Sequence, residues 1–201
     1  MSKVIVISIR ETGHVLAAAT RNLNPDDAID ADQFVGNGLT VRTKARLVGL
    51  ALPANAENTN IAHHGNIYFD PDDLSAHLVD EGHNVMRAPR QLYVKTPDES
   101  PALAVVQAAH QITLGAIQAN GDMTVTIPQD AFSQQPEIVV WGRATGGGNE
   151  VNATPVTAEP EDPPANVDVP LNFGPLQVNT VYTVIVFAGS LPPAVRRQNV
   201  T

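Results

Sequence analysis

The dipeptide Asn120-Gly121 is the feature that most narrows what this chain can become. It separates two runs rich in β-formers, ITLGAIQ and MTVTIP. Asn-Gly favours a type I′ hairpin turn because both central residues of that turn need positive φ. A two-residue turn fixes the pairing: Ala119 faces Asp122, Gln118 faces Met123, Ala116 faces Val125 and Leu114 faces Ile127. Leu114, Ala116, Val125 and Ile127 then share one face, and a slip of one residue would undo that match. After a loop holding Pro128 and Pro136 comes Ile138-Val139-Val140-Trp141, whose lack of alternation predicts a strand covered on both sides. Together the three runs between Ile112 and Arg143 predict a β-meander.

The same reasoning extends along the chain. Val4 to Ile9 is a β-branched run, Thr12-Gly13 supplies a turn, and His14 to Thr20 forms a second strand with Ile9 opposite Leu16 and Ile7 opposite Ala18. In Leu39 to Leu52, Val41, Thr43, Ala45 and Leu47 alternate with Thr40, Arg42, Lys44 and Arg46, which makes one face of the strand cationic. Shorter strands are expected at Ile67–Phe69, Leu92–Lys95 and Leu103–Ala109, and Thr180–Ala188 is apolar on both faces, as an interior strand is.

Two segments carry helix-start chemistry. Asn24-Pro25-Asp26-Asp27 and Asp70-Pro71-Asp72-Asp73 each offer an N-cap, a proline suited to the first turn and carboxylates for the positive end of the dipole. Each proline precedes a glycine, Gly36 or Gly82, by eleven positions, so the pair reads either as an old duplication or as shared start and stop signals. The fold class is therefore mainly β, an antiparallel β-sandwich-like architecture with two short helices in the N-terminal half.

Thr96-Pro97-Asp98-Glu99-Ser100-Pro101 resists both helix and ladder, which places a boundary between an N-terminal β-rich domain, 1–96, and a C-terminal β-sandwich-like domain, 101–201. A single composite domain is the other arrangement the sequence permits. From about 144 to 176 the chain is an acidic, proline-rich excursion that leaves one sheet position and returns to another. Gly146-Gly147-Gly148 near its start reads as a mobile loop.

Composition restricts function more than it specifies it. With 12 Lys and Arg against 21 Asp and Glu, the net charge of −9 argues against nucleic acid or an anionic membrane as partner. There is no cysteine, hence no disulfide, iron–sulfur cluster or thiol nucleophile. The apolar run before Arg10 is too short for a secretory segment, and no stretch is apolar for long enough to span a membrane, so the expected product is made in the cytoplasm without a signal peptide and reaches the outside, if at all, within a released particle.

His63, His64, His77 and His83 lie close in sequence to Asp70, Asp72 and Asp73, but without a zinc-type spacing such as H-E-x-x-H. The Asp70–Asp73 cluster lacks the calcium-loop pattern, and its carboxylates are explained by capping. The triple glycine has no Gly-Lys-Ser/Thr after it, and Gly189-Ser190 lacks the flanks of a nucleophile elbow. Trp141, Tyr68, Tyr93 and Tyr182 are the aromatics that a sugar platform would use, although Trp141 closes an apolar run and fits a core better.

The expected function is accordingly non-enzymatic: a structural or assembly subunit of a ring, tube or fibre, phage-tail-like or secretion-type, with no cofactor and no metal. Its partners would be itself or other protein subunits, with neither nucleic acid nor membrane insertion. Candidate subunit contacts are Arg42, Lys44 and Arg46 on the cationic strand, Pro160, Pro163 and Pro164 in the excursion, and Arg196 and Arg197 in the basic tail. The alternative is a β-sandwich recognition module that binds carbohydrate or another surface ligand.

Overall fold

A computed structural model describes residues 3–20, 36–48, 62–80, 93–95, 103–106, 110–133, 135–162 and 165–201. Within them the chain is mainly β. Its strands are β1 (Lys3–Ile9), β2 (Val15–Thr20), β3 (Leu39–Val48), β4 (Ala62–Phe69), β5 (Leu74–Asp80), β6 (Tyr93–Lys95), β7 (Leu103–Val105) and β8 (Thr113–Leu114). There follow β9 (Asp122–Ile127), β10 (Ile138–Gly146), β11 (Asn149–Asn152), β12 (Val156–Ala158), β13 (Val167–Asn172), β14 (Thr180–Ala188) and β15 (Ala194–Val200). The largest sheet runs β11-β10-β14-β15-β3-β4, with β12 also on β10; smaller sheets are β2-β1-β5, β13-β9-β8 and β6-β7.

β10 and β14 form the middle of the molecule because their sequences are apolar on both faces. On one side Val140, Ala144, Tyr182, Val184 and Val186 meet Met123, Val125 and Ile127 of β9 and Val167, Val169 and Leu171 of β13 in one buried cluster. On the other side Trp141, Ile185 and Phe187 pack with Ile7, Ile9, Ile67, Phe69 and Leu74. The doubly covered strands expected from the unbroken apolar runs are thus found at Ile138–Trp141 and Thr180–Ala188. The large sheet also rolls: β4 lies at its far end, yet the Phe69 ring sits 6.3 Å from Trp141 and 6.2 Å from Phe187.

Several sequence expectations change on contact with this architecture. The hairpin at Asn120-Gly121 forms, but as a three-residue loop, with Gln118 N–H donating to Asp122 O at 3.0 Å and Gly121 N–H to Gln118 O at 2.9 Å. Only Gly121 in this loop has positive φ, 87°. Asn120 instead uses its side chain, accepting the Asp122 N–H at Oδ1 over 3.1 Å. The register therefore shifts by two, Leu114 pairing Val125. An even shift keeps the face, so Val125 and Ile127 stay buried, whereas Ala116 is exposed and Ile117 takes the inward place. Nor do the three runs make a meander, because β9 pairs β13 in one sheet while β10 pairs β14 in another.

The second short helix is also replaced. Asp70 and Asp73 do form a reciprocal capping box around a 3-10 turn, Pro71–Asp73, so the start chemistry works as expected. Then Leu74–Asp80 extends and pairs all seven residues of β1. A strand supplies the backbone partners that buried β1 requires on that side, and a helix would leave them unmet. The first expected helix, from Asn24 to Gly36, and with it the duplication, lies outside the described residues except for Gly36. At the N-terminus, a bulge moves the β1–β2 register by one from the expected pairing, giving Ile7 opposite Ala17.

The acidic excursion is built into the sheets rather than free. β11 and β12 follow the outer side of β10, and β13 crosses to pair β9 before the chain returns as β14. Gly147 and Gly148, with φ of 61° and 77°, form a tight β10–β11 turn of the I′ kind, with Gly146 paired to Asn149. The large sheet contains strands from both sides of the 96–101 segment.

Candidate functional site

The most concentrated polar chemistry among the described residues surrounds Arg143. Its strand, β10, is apolar on both faces, and an arginine in such a run is stable only if its charge is paired. Arg143 is 1% exposed, and its Nη2 donates to Asp70 Oδ2 at 2.8 Å and to Glu150 Oε2 at 2.9 Å. Nη1 donates to Asn152 Oδ1 at 2.9 Å and to Asp73 Oδ2. Asn152 in turn donates Nδ2–H to Asp73 Oδ1 at 2.6 Å. The guanidinium carbon lies 5.9 Å from the ring centres of both Tyr68 and Phe69.

Each ligand comes from a different piece of backbone for a local reason. Asp70 and Asp73 are presented by the capping box, in which Asp70 N–H donates to Asp73 Oδ2 at 3.0 Å. Glu150 and Asn152 are presented by β11, which the Gly147-Gly148 turn folds back along β10. Arg143 therefore joins the end of β4 to β10 and β11, at the place where the rolled sheet meets itself. Four partners converge on the one guanidinium, so the group acts as a cross-link. Among the described residues its Nε has no hydrogen-bond partner.

A second buried polar group is His14, 2% exposed, at the β1–β2 turn. Its Nε2 lies 2.7 Å from Leu191 O and its Nδ1 3.0 Å from Thr12 Oγ1. Since a carbonyl only accepts, Nε2 carries the proton and Nδ1 accepts from the Thr12 hydroxyl. The ring stands 5.0 Å from that of Phe187. Burial pushes the His14 pKa down from 6.5 to about 4, and the hydrogen bond to Leu191 opposes this only in part.

No protein-family model and no curated protein matches the chain. Its site must therefore be judged from its own residues.

The candidate contacts fall into two groups. Arg42, Lys44 and Arg46 occupy β3, opposite Asn66, His64 and Ala62 of β4. Arg196 and Arg197 occupy β15, which pairs β3 in parallel at Arg197–Leu47 and Gln198–Val48. The two basic runs thus lie on adjacent strands. The basic tail is a sheet strand, and Arg196 donates from Nη1 to Leu114 O at 2.7 Å and from Nε to Gln198 Oε1 at 3.0 Å. Partial burial lowers its pKa, because loss of water disfavours the charged form. Pro160 is exposed between β12 and β13, far along the chain from these strands, and Pro163 and Pro164 lie outside the described residues.

The histidines do not come from one element. His63 and His64 are in β4 of the large sheet, whereas His77 is in β5 of another, with Nε2 at 2.9 Å from Ser75 Oγ; His83 is outside the described residues. Trp141 and Tyr182 are core residues, 3% and 1% exposed, and so are withdrawn from any sugar platform. Arg143 and His14 were not marked by sequence reasoning. For Arg143 a signal existed, a lone charge inside IVVWGRA; for His14 there was none, since its partner is 177 positions away.

Proposed function

We propose that this chain is a non-enzymatic structural subunit that associates with copies of itself, or with other protein subunits, into a ring, tube or fibre of a phage-tail-like or secretion-type particle. The observation that carries the proposal is the separation of charge over a strand-built body. Arg42, Lys44 and Arg46 stand at alternate positions of β3, which pairs the Arg196-Arg197 strand β15, while Glu159, Glu161 and Asp162, all exposed, lie between β12 and β13 and exposed Asp168 lies in β13 itself. Unlike surfaces on one chain support head-to-tail contacts, which close into rings or extend into filaments. Commitment of the Arg143 cluster to internal cross-linking supports the non-enzymatic reading. Trp141 and Tyr182 in the core remove support from the carbohydrate alternative.

The sandwich-like description belongs here too: β13-β9-β8 sharing a core with β10, β14 and β15 supports it for the C-terminal half. One large sheet spanning the 96–101 segment supports a single composite unit over two domains.

The test is charge reversal. The triple variant Arg42→Glu, Lys44→Glu, Arg46→Glu is expected to sediment as a smaller species than the parent while keeping its far-ultraviolet dichroism. A parent and variant that sediment identically as monomers at every salt concentration would remove the proposal.

A further inference from the structure

The contact between His14 and Leu191 connects parts of the chain that no described ladder joins. The β1–β2 turn belongs to the β2-β1-β5 sheet, and Leu191 belongs to the β14–β15 turn of the large sheet. We propose that His14 is an acid-sensitive latch: its neutral imidazole fastens the β1–β2 turn to the β14–β15 turn, and protonation releases that turn while β1 stays packed on β10 and β14. This goes beyond the assembly reading and does not depend on it.

The argument starts from what surrounds the ring. β14 offers the Phe187 face, the following turn offers the Leu191 carbonyl, and the hairpin itself offers the Thr12 hydroxyl. The charged neighbours in its own hairpin point elsewhere, Arg10 donating to Leu74 O at 3.0 Å and Glu11 being exposed. Burial and the Leu191 carbonyl account for the shift, and among the described residues no charged group contributes. A proton added at Nδ1 could keep the Thr12 contact, because a hydroxyl can turn to accept. The resulting cation would still be buried against an aromatic ring, with no carboxylate among the described residues bonded to it to offset the burial.

The direction follows from linkage. With the closed form titrating at about 4 and the free side chain at 6.5, the open turn binds more protons between those values. Closure is therefore fully favoured above pH 6.5 and weakens as pH falls toward 4. A difference of this size corresponds to roughly 300-fold in the opening equilibrium.

His14→Gln provides the test, since its amide can still donate to Leu191 O yet does not titrate. Amide hydrogen exchange of Ile9 and Gly13, whose N–H groups close the turn onto His14 O and Ile9 O, is measured from pH 7 to 4 in parent and variant. Comparison at equal pH cancels the intrinsic exchange rate. The latch predicts that parent opening rises over the variant's by up to about two orders of magnitude at the acid end, with β10 and β14 amides unchanged. Parallel profiles would overturn it. Should the variant fail to fold, the parent's own His14 ring resonance decides: titration near 6.5 with turn amides still protected contradicts the latch, and a ring that stays neutral until those amides open upholds it.

Discussion

At residue scale, Arg143 shows how one charge organises its neighbours. Three carboxylates and an amide converge on it, although Asp70 is 51% and Glu150 32% exposed, so solvent already moderates two of the ion pairs. Arg143→Met should therefore cost about 2–4 kcal/mol, the upper part of that range reflecting Asp73, only 9% exposed, left without its cation. Urea unfolding measures it, and a loss under about 1 kcal/mol would contradict the cross-link. Gln198 is the quieter counterpart: its side chain accepts from Ile117 N–H at 3.2 Å and donates to Ile117 O at 2.9 Å, replacing a strand neighbour. Gln198→Leu keeps the volume but leaves two backbone groups unpaired, with an expected loss of about 1–3 kcal/mol in the same measurement. Gly121 is fixed by contact as well as by φ, since a Cβ there would collide with the Gly174 carbonyl. Gly121→Ala should lower the melting temperature markedly.

At the scale of elements, local chemistry was legible wherever the chain decided alone. The capping chemistry of Asp70 and Asp73, the position of the turn at Asn120-Gly121 and the doubly covered runs of β10 and β14 can all be read from neighbouring residues. What could not be read was which strand each one meets. Leu74–Asp80 has helix-start signals before it, yet becomes β5 because β1 requires a partner; β9 leads to β10 in sequence, yet pairs β13. The triple glycine looked mobile because its role depends on β11 pairing back on β10. That role predicts a contrast: at Gly147 a Cβ would lie 2.8 Å from Thr180 Cγ2, whereas at Gly148 it would meet open space. Gly147→Ala should cost about 1–2 kcal/mol and Gly148→Asn a few tenths, Asn tolerating positive φ. Equal effects in thermal melts would argue against the tight turn. Deletion of Val151–Pro175 should likewise abolish folding rather than only association, since it removes β12, β13 and most of the residues that face β9.

At the scale of the whole molecule, both halves contribute to one rolled sheet, closed by Arg143 and covered on each side at β10 and β14. Among the described residues no helix is long and apolar enough to cross a membrane. The body is built from paired strands, with cationic positions on β3 and β15 and exposed carboxylates on the path into β13, and the function proposed for it rests on contact between such surfaces. The candidate site was the least legible part of the sequence, because β15 and β3 are distant in the chain and become neighbours only through two residue pairs. The most direct measurement is light scattering on the purified chain across protein and salt concentration, followed by electron microscopy of the scattering species. The account predicts a mass of several chains, falling as salt rises, with rings, tubes or fibres in the images. A single-chain mass throughout, at low salt and high concentration, would contradict it.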